Sequence, residues 1–544
     1  MNRWWQEKAV YQIYPRSFQD SNNDGIGDIP GIISRLDEIK ALGVGIIWLS
    51  PVYKSPNADN GYDISDYRDI NPMFGTIADM EQLFSEAEKR DIKIIMDLVI
   101  NHTSDEHEWF KRSRDKDSPY RDYYIWREPD QSGGEPNNWT SFFGGKTWTF
   151  DPKSGEYYLH LFNEKQPDLN YHNPNVIAEI KDIMRFWLDK GAAGFRCDVI
   201  NVIFKSSLED GVHRLAVCGR EHFVTQEGTH TILQELRREV LDNYDCFTVG
   251  EAALVNLRDA KLLTDPARRE LDMVFYFDHL NVDRRIEKFI PKKFKANKLL
   301  KVLTKWQQGL YWNAVYLENH DQPRIVSHWG DDGDKYRERS AKLFAAMLLT
   351  LKGTPFIYQG QEIGMTNFDF EGMAQINDIE TIGVDKLLRS FKIPARLRWN
   401  WLKASSRDNA RTPMQWNAHP GAGFTQGQSW LDINSNHIEI NHAEQERRED
   451  SVLNFYKKMI ALRGSSETLK YGDFAPVWAN EQVMVYSRTI TGAEQLAVIL
   501  NISGKPAATQ IENNLIGPII VSNIGRGEYD GTLSAWEAVV LKIW

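Results

Sequence analysis

The sequence predicts an α/β fold: a (β/α)8 barrel with an inserted domain after its third strand and a C-terminal all-β sandwich. Three observations lead there. Eight short apolar runs rich in β-branched residues alternate with segments of helical periodicity, and eight parallel strands close a barrel. After the third run the alternation is interrupted by a stretch rich in Trp, Tyr, Gly and Pro that has no helical period. Beyond SVLNFYKKMIALRG the pattern changes to VMVYSRTI, QLAVILNIS, IGPIIVSNI and EAVVLKIW, separated by Gly and Asn turns.

In chain order the eight runs are AVYQIYPRSF, VGIIWLSP, IKIIMDLVINH, GFRCDV, CFTVGEA, DMVFYFD, NAVYLENHD and GTPFIYQGQE. Between them lie amphipathic segments. In NVIAEIKDIMRFWLDKG, Ile177, Ile180, Met184 and Trp187 recur at helical spacing and are expected to face the sheet. The expected barrel comprises residues 1–102 and 172–465, the insertion residues 103–171 and the sandwich residues 466–544.

Bulk properties narrow the function. A chain of 544 residues is too long for one simple core, and 42% apolar content supports a large one. The net charge of −11 argues against nucleic acid as a partner, since phosphate binding needs a basic face. The start, MNRWWQEKAVYQ, has no signal-peptide run, and no stretch of about 18 apolar residues suggests a membrane span, so a soluble cytoplasmic protein is expected. Cys197, Cys218 and Cys246 are too few for a disulfide framework and read as buried thiols. The 18 Trp, 21 Tyr and 25 Phe tilt the expectation toward a sugar ligand, whose C–H faces pack on aromatic rings.

The polar residues at the C-terminal ends of barrel strands point into the active site. The third run ends with Asp97, Asn101 and His102, the fourth with Arg196 and Asp198, the fifth with Glu251 and the seventh with His320 and Asp321. Side chains alternate along a strand, so Arg196 and Asp198 share a face and Cys197 points away. An Arg two residues before an Asp holds it ionised, as a nucleophile requires, and neighbouring carboxylates raise the pKa of one member of the group. An ionised base beside a protonated acid is the division of labour in glycoside hydrolysis.

The loop DSNNDGIGD matches the start of a calcium loop, with Asp20, Asn22 and Asp24 followed by Gly25. Its twelfth position is Gly31 where an EF-hand needs Glu, which leaves either another hard-cation loop, using Asp28 and the Ile26 carbonyl as well, or a polar Gly-rich turn.

DLVINH, GFRCDVIN, TVGE and ENHD resemble the four conserved regions of the α-amylase superfamily of glycoside hydrolases, glycoside hydrolase family 13. YQIYPRSF, DNGYDISDY, QPDLN, GTPFIYQGQEIGMTN and SRDNARTPMQW narrow the resemblance to the oligo-1,6-glucosidase, dextran glucosidase, α-glucosidase and trehalose-6-phosphate hydrolase group. The resemblance covers essentially the whole chain. It implies a retaining double displacement with Asp198 as nucleophile, Glu251 as acid/base and Asp321 binding and distorting the nonreducing sugar. It also implies that Asp59, Tyr62, His102, Phe143, Gln166, Arg196, His320 and Arg407 surround the first glucose, with Asp59 and Arg407 closing the pocket. A closed end admits only the terminal glucose, so an exo-acting enzyme is expected.

By the same resemblance Val199, next to the nucleophile, goes with α-1,6 preference where Thr goes with α-1,4, and Glu380 in NDIET matches a position that hydrogen-bonds the leaving sugar. Isomaltose and isomalto-oligosaccharides are the expected substrates. The DSNNDGIGD loop is expected to bind structural Ca2+, or Mg2+, through Asp20, Asn22, Asp24, Ile26 and Asp28, and no organic cofactor is expected. A monomer acting on a small oligosaccharide, with no nucleic-acid or membrane partner, is the expected state.

Three departures from the group bear on substrate. Ala253 stands where dextran glucosidase has Trp, Gln361 makes QGQE of the usual QGEE, and Glu318 replaces a frequent Asn. The alternatives are a hydrolase for a phosphorylated disaccharide, using Lys292, Lys293, Lys295 and Lys298, or an α-1,4- or sucrose-active glucosidase or sucrose isomerase. A solvated face is the preferred reading of the lysines. A noncatalytic amylase-like transporter partner needs a membrane anchor and tends to lack the carboxylates, unlike this chain.

Overall fold

The structure, a computed structural model, describes residues 3–214, 216–285, 289–512 and 515–543. The eight expected strands are all present: β1 (Val10–Ile13), β2 (Ile46–Leu49), β3 (Lys93–Leu98), β4 (Gly194–Cys197), β5 (Phe247–Glu251), β6 (Met273–Phe275), β7 (Ala314–Val315) and β8 (Thr354–Tyr358). They pair in parallel in the order β6-β5-β4-β3-β2-β1-β8-β7. The remaining gap, between β6 and β7, is closed by side chains: the Phe275 and Tyr316 rings meet edge to face with centroids 5.0 Å apart, and Tyr316 Oη donates to the Tyr276 carbonyl at 2.8 Å. These strands are apolar on both faces because helices cover the outside and packed side chains fill the inside.

The helix Pro174–Asp189 shows how the sequence pattern seats the outer layer. Asn173 caps its first turn by accepting from the Asn175 amide, and Pro174 supplies a preset φ at the first position. Its inner stripe is Val176, Ile180, Ile183, Met184 and Trp187. The expected Ile177 is only half-buried, one position out of phase, because the stripe drifts with the 3.6-residue turn and Val176 takes the inward place.

Within the interrupting segment, Trp126–Arg127, Trp148–Asp151 and Glu156–Leu159 form a small antiparallel sheet, and the rings of Phe110, Trp126 and Tyr158 pack together beneath it. After the helix Val452–Ser465 comes a five-stranded antiparallel sheet: β9 (Asp473–Ala479), β10 (Val483–Thr489), β11 (Gln495–Asn501), β12 (Ile519–Ser522) and β13 (Ala538–Ile543). Period-two alternation gives it two apolar faces. Met484, Tyr486, Leu496, Val498 and Val540 join the main core, while Val483, Val485, Ile499, Val539 and Leu541 pack with Leu533 and Tyr529 on the far side. A two-stranded ribbon, Ala507–Ala508 with Thr532–Leu533, covers part of that far face as the second layer of the expected sandwich.

The sheet lies against the helix Arg337–Thr350, in which every residue from Ser340 to Thr350 is buried. The last carbonyls of that helix need partners from outside it. Arg463 donates to the Leu349 and Leu351 carbonyls at 2.9 Å, and Arg488 of β10 donates to the Thr350 carbonyl at 2.5 Å. Cys197, Cys218 and Cys246 are buried free thiols, as expected. Among the described residues no helix is long and apolar enough to cross a membrane.

Candidate active site

Arg196 on β4 organises the floor of the site. Its guanidinium is buried and donates from Nη1 to Asp198 Oδ1 at 2.6 Å and to Asp97 Oδ1 at 2.7 Å, and from Nη2 to Glu251. Parallel pairing sets Asp97 of β3 directly beside Arg196, and β5 follows on the other side. Asp97 also accepts from Tyr62 Oη at 3.0 Å and Trp48 Nε1 at 3.2 Å. Burial pushes Asp97 up to about 6 against the pull of Arg196. Asp198 is pushed well above the ordinary carboxylate range, by burial first and then by the charges of Glu251 and Asp97, with Arg196 opposing. Arg196 opposes that rise, its one buried guanidinium being shared among the three carboxylates Asp97, Asp198 and Glu251.

A neutral hydrogen-bonded chain lies beside this group. Gln12 Nε2 donates to His320 Nδ1 at 2.8 Å, so the ring proton sits on Nε2, 2.8 Å from Tyr62 Oη, and Tyr62 in turn donates to Asp97. The His320 and Tyr62 rings stack at 5.3 Å. Burial lowers His320 to about 3 and His102 to about 4, so both imidazoles are neutral at pH 7. His102 lies 3.1 Å from Gln166 Nε2 and is steadied through its other nitrogen by Asn101. Asn101 is in turn held by Lys205, whose buried Nζ reaches Asn101 Oδ1 at 2.9 Å and Asp168 at 2.6 Å.

Arg407 closes the opposite side. Its guanidinium reaches Asp59 at 3.2 Å, Asp321 at 3.4 Å, Asp378 at 2.6 Å and Glu380 at 3.5 Å, and lies over the Phe143 ring. Asp378 does double duty by capping the helix Ile379–Ser390, which presents Glu380. Gln166 donates to the second oxygen of Asp59 at 3.2 Å. Burial pushes Asp59 up to about 6 even with Arg407 and Arg411 nearby. Asp321 is held by Arg411 at 2.8 Å and His320 at 3.1 Å.

These groups surround a cavity of about 750 Å3. Asp198, Glu251 and Asp321 line it, as do Asp59, Tyr62, His102, Phe143, Gln166, Val199, Glu380 and Arg407, while Arg196 and His320 lie under it in contact with lining residues. Residues the sequence reading passed over are Gln12, Asp378 and Arg411, which position the lining groups, and Arg220 and Leu254, which line it. A Gln inside the buried strand VYQI was the available signal for the first.

The other singled-out residues lie elsewhere. Glu318 and Gln361 are buried supports, Glu318 accepting from Arg324 at 3.1 Å and Gln361 from the Tyr358 amide at 3.1 Å. Lys293 and Lys295 pair with Glu481 of the C-terminal region, and the four lysines do not line the cavity.

In the loop after β1, Asp20 accepts from the amides of Asn22, Asn23 and Gly25 and from Thr425 Oγ1. Asp28 accepts from Ser21 and caps the next helix through the Gly31 amide, and Asp24 accepts from the Ile26 amide. Among the described residues no three His, Cys, Asp or Glu side chains are grouped for a metal. The donor chemistry of the loop, carboxylate, amide and carbonyl oxygens without nitrogen or sulfur, suits a hard cation.

A barrel with three carboxylates gathered at the C-terminal ends of β4, β5 and β7, over a buried arginine, defines a glycoside hydrolase. The family model for the alpha amylase catalytic domain matches residues 12–472, and the chain belongs to that family. It is 49% identical to an oligo-1,6-glucosidase of Parageobacillus thermoglucosidasius, over 99% of both chains. Among solved structures it is similar to the isomaltulose synthase of Klebsiella sp. LX3, with 42% identity, TM-score 0.96 and all of both chains covered. It is likewise similar to the trehalose-6-phosphate hydrolase of Bacillus licheniformis, with 43% identity, TM-score 0.93 and the same coverage.

Proposed function

We propose that the protein is a retaining, exo-acting α-glucosidase that releases glucose from the nonreducing end of short α-glucosides and prefers α-1,6 linkages. The observation that carries this reading is the double engagement of Arg196, which holds Asp198 from one terminal nitrogen and Glu251 from the other. Asp198 and Glu251 are also close enough to interact directly, which supports the close spacing of retaining enzymes over the roughly 6.5–9.5 Å that inverting enzymes keep to admit a water.

In the first step Asp198 bonds to the anomeric carbon while Glu251 gives a proton to the departing oxygen. In the second, Glu251 takes a proton from water as the water oxygen displaces Asp198. Asp321, fixed by Arg411, His320 and Arg407, holds hydroxyls of the distorted sugar. Asp59 and Arg407 bind the outermost hydroxyls and end the pocket, which supports exo action. Val199 beside the nucleophile and the oligo-1,6-glucosidase relatives support the linkage. Pairing of Lys293 and Lys295 with Glu481 weakens the phosphorylated-disaccharide alternative.

The reading includes a structural Ca2+ held by Asp20, Asn22, Asp24, Ile26 and Asp28, remote from the chemistry. It also includes a monomeric state and a cytoplasmic location, the latter supported by three buried free thiols. The test is glucose release from isomaltose, maltose, sucrose and trehalose-6-phosphate at equal concentration, with the released anomer followed by NMR. Isomaltose is expected to react fastest and α-glucose to appear first. Initial β-glucose would overturn the retaining assignment, and preference for the phosphorylated sugar would overturn the substrate.

A further inference from the structure

A second cavity, of about 490 Å3, shares no lining residue with the catalytic one. It lies where the inserted segment, with Lys116, Arg121, Trp126 and Arg127, meets the loop after β4, with residues 205–208. Its size falls within the roughly 300–1,000 Å3 of small-molecule sites.

The lining is rich in donors. The Arg121 guanidinium lies over the Trp126 ring, 4.2 Å from its centroid, and shares Glu156 with Lys116, whose Nζ is 3.3 Å from that carboxylate. Arg127 donates to the Trp126 carbonyl at 2.9 Å and has no carboxylate partner among the described residues. Counting Asp168, which pairs with Lys205 from beneath, four cations face three carboxylates: Lys116, Arg121, Arg127 and Lys205 against Asp122, Glu156 and Asp168. That is a local positive excess on a chain of net charge −11. Trp126 is 7% exposed, and its buried Nε1 has no hydrogen-bond partner among the described residues. Native interiors leave few such donors unpaired, and one beside a cavity marks a place where something bound supplies the acceptor. The ring itself is covered by Arg121 and by Phe110, stacked at 5.5 Å, so it offers no bare face to a neutral sugar.

The cavity is also joined to the chemistry. The buried Lys205 Nζ bonds Asp168 at 2.6 Å and Asn101 Oδ1 at 2.9 Å, and Asn101 Nδ2 lies 3.1 Å from Nδ1 of His102, which lines the catalytic cavity. We propose that the second cavity binds a small phosphate ester of a sugar, and that binding slows glucoside cleavage through Lys205, Asn101 and His102. The phosphate oxygens accept from Arg121, Arg127 and Trp126 Nε1, and the sugar hydroxyls pair with Asp122, Ser206 and Ser207. The anion competes with Asn101 for the Lys205 ammonium and slackens the hold on His102. The effect on rate rests on the glucosidase reading above; the binding does not.

The experiment titrates glucose 6-phosphate, inorganic phosphate and glucose into wild type, Arg127→Gln and Trp126→Phe by calorimetry, and measures isomaltose cleavage with and without each. Trp126→Phe keeps an aromatic ring and removes the orphaned donor. Glucose 6-phosphate is expected to bind wild type more tightly than either control and to lower kcat at saturating isomaltose. Its affinity is expected to fall about tenfold in Arg127→Gln, the scale of a lost charge-assisted hydrogen bond, and by a smaller factor in Trp126→Phe. Inhibition that saturating isomaltose relieves, and that is equal in wild type and Arg127→Gln, would place the ester in the catalytic cavity and overturn the second site. Inorganic phosphate binding as tightly as the ester would overturn the ligand class, and Arg127-dependent binding with kcat unchanged would overturn the coupling. If wild type fails on isomaltose the parent reading falls and the rate effect with it, while calorimetry still decides the site.

Discussion

Arg407 Nη2 lies 3.2 Å from Asp59 Oδ1, which ties the segment after β8 to the loop after β2 across the edge of the cavity. Both side chains are about 95% buried, and while Arg407 has other carboxylate partners, Asp59 has Arg407 as its ion-pair partner, so loss of Arg407 leaves a buried carboxylate without its cation. Arg407→Met is expected to lower kcat/KM on isomaltose by about 100-fold or more, a cost of roughly 3–5 kcal/mol for an unpaired buried charge. Initial-rate kinetics over a series from isomaltose to isomaltopentaose would show the loss shrinking as chain length grows. An undiminished rate on isomaltose would mean that the contact does not end the pocket.

Asp198→Asn is expected to reduce turnover by about 10^4-fold or more, as for other covalent nucleophiles. The same change is expected to leave the melting temperature unchanged or higher, because burial and the charges of Glu251 and Asp97 disfavour the ionised Asp198 in the folded chain. Calorimetry together with nitrophenyl α-glucoside hydrolysis tests both halves.

Val199→Thr is expected to move the isomaltose-to-maltose ratio toward maltose by about tenfold, the scale on which a single pocket-edge side chain discriminates. An unmoved ratio would transfer the linkage preference to other residues of the leaving-group side.

His107 gives a stability test away from the chemistry. Burial lowers it to about 3, and its Nδ1 accepts from the Trp109 amide at 3.1 Å to cap a helix. The unfolded chain binds a proton near pH 6.5 that the folded chain refuses, so stability is present above that pH and is lost as pH falls from 6.5 toward 3. By pH 5 the loss from this one group is about 2 kcal/mol. His107→Asn keeps a capping side chain and removes the titration, and urea unfolding at pH 7 and 5 is expected to show that much less acid sensitivity.

Chelation is expected to lower the melting temperature by a few degrees without changing kcat, since no residue of the DSNNDGIGD loop lines the cavity and the loop already satisfies Asp20 with its own amides. Differential scanning calorimetry with EDTA and with added Ca2+ decides it. A parallel loss of kcat would connect the loop to the active site.

The strands and the three strand-end carboxylates were legible because a polar residue closing an apolar run has few structural uses, and Arg196, Asp198, Glu251, His320 and Asp321 all do so. Asp59 and Arg407 were legible only through resemblance. They come from irregular loops, where no period in the chain reports which way a side chain points. Arg411 and Asp378 carry no such signal either, although they lie inside SRDNARTPMQW and NDIET. Leu254 escaped for a different reason: what marks it is a backbone angle, and a leucine after a catalytic-looking Glu reads as ordinary core.

From Ser340 onward the helix Arg337–Thr350 has no outward side. Barrel side chains meet one flank, β10, β11 and β13 lie toward another, and Arg463 and Arg488 occupy its last carbonyls. The barrel is therefore not a removable catalytic unit. A chain stopped before residue 473 would strip the apolar run at residues 343–349 of its cover and release the Thr350 carbonyl from Arg488, producing an adhesive, self-associating fragment where a minimal enzyme was intended. Engineering of the substrate pocket has to carry the terminal sheet with it, however remote that sheet is from the sugar.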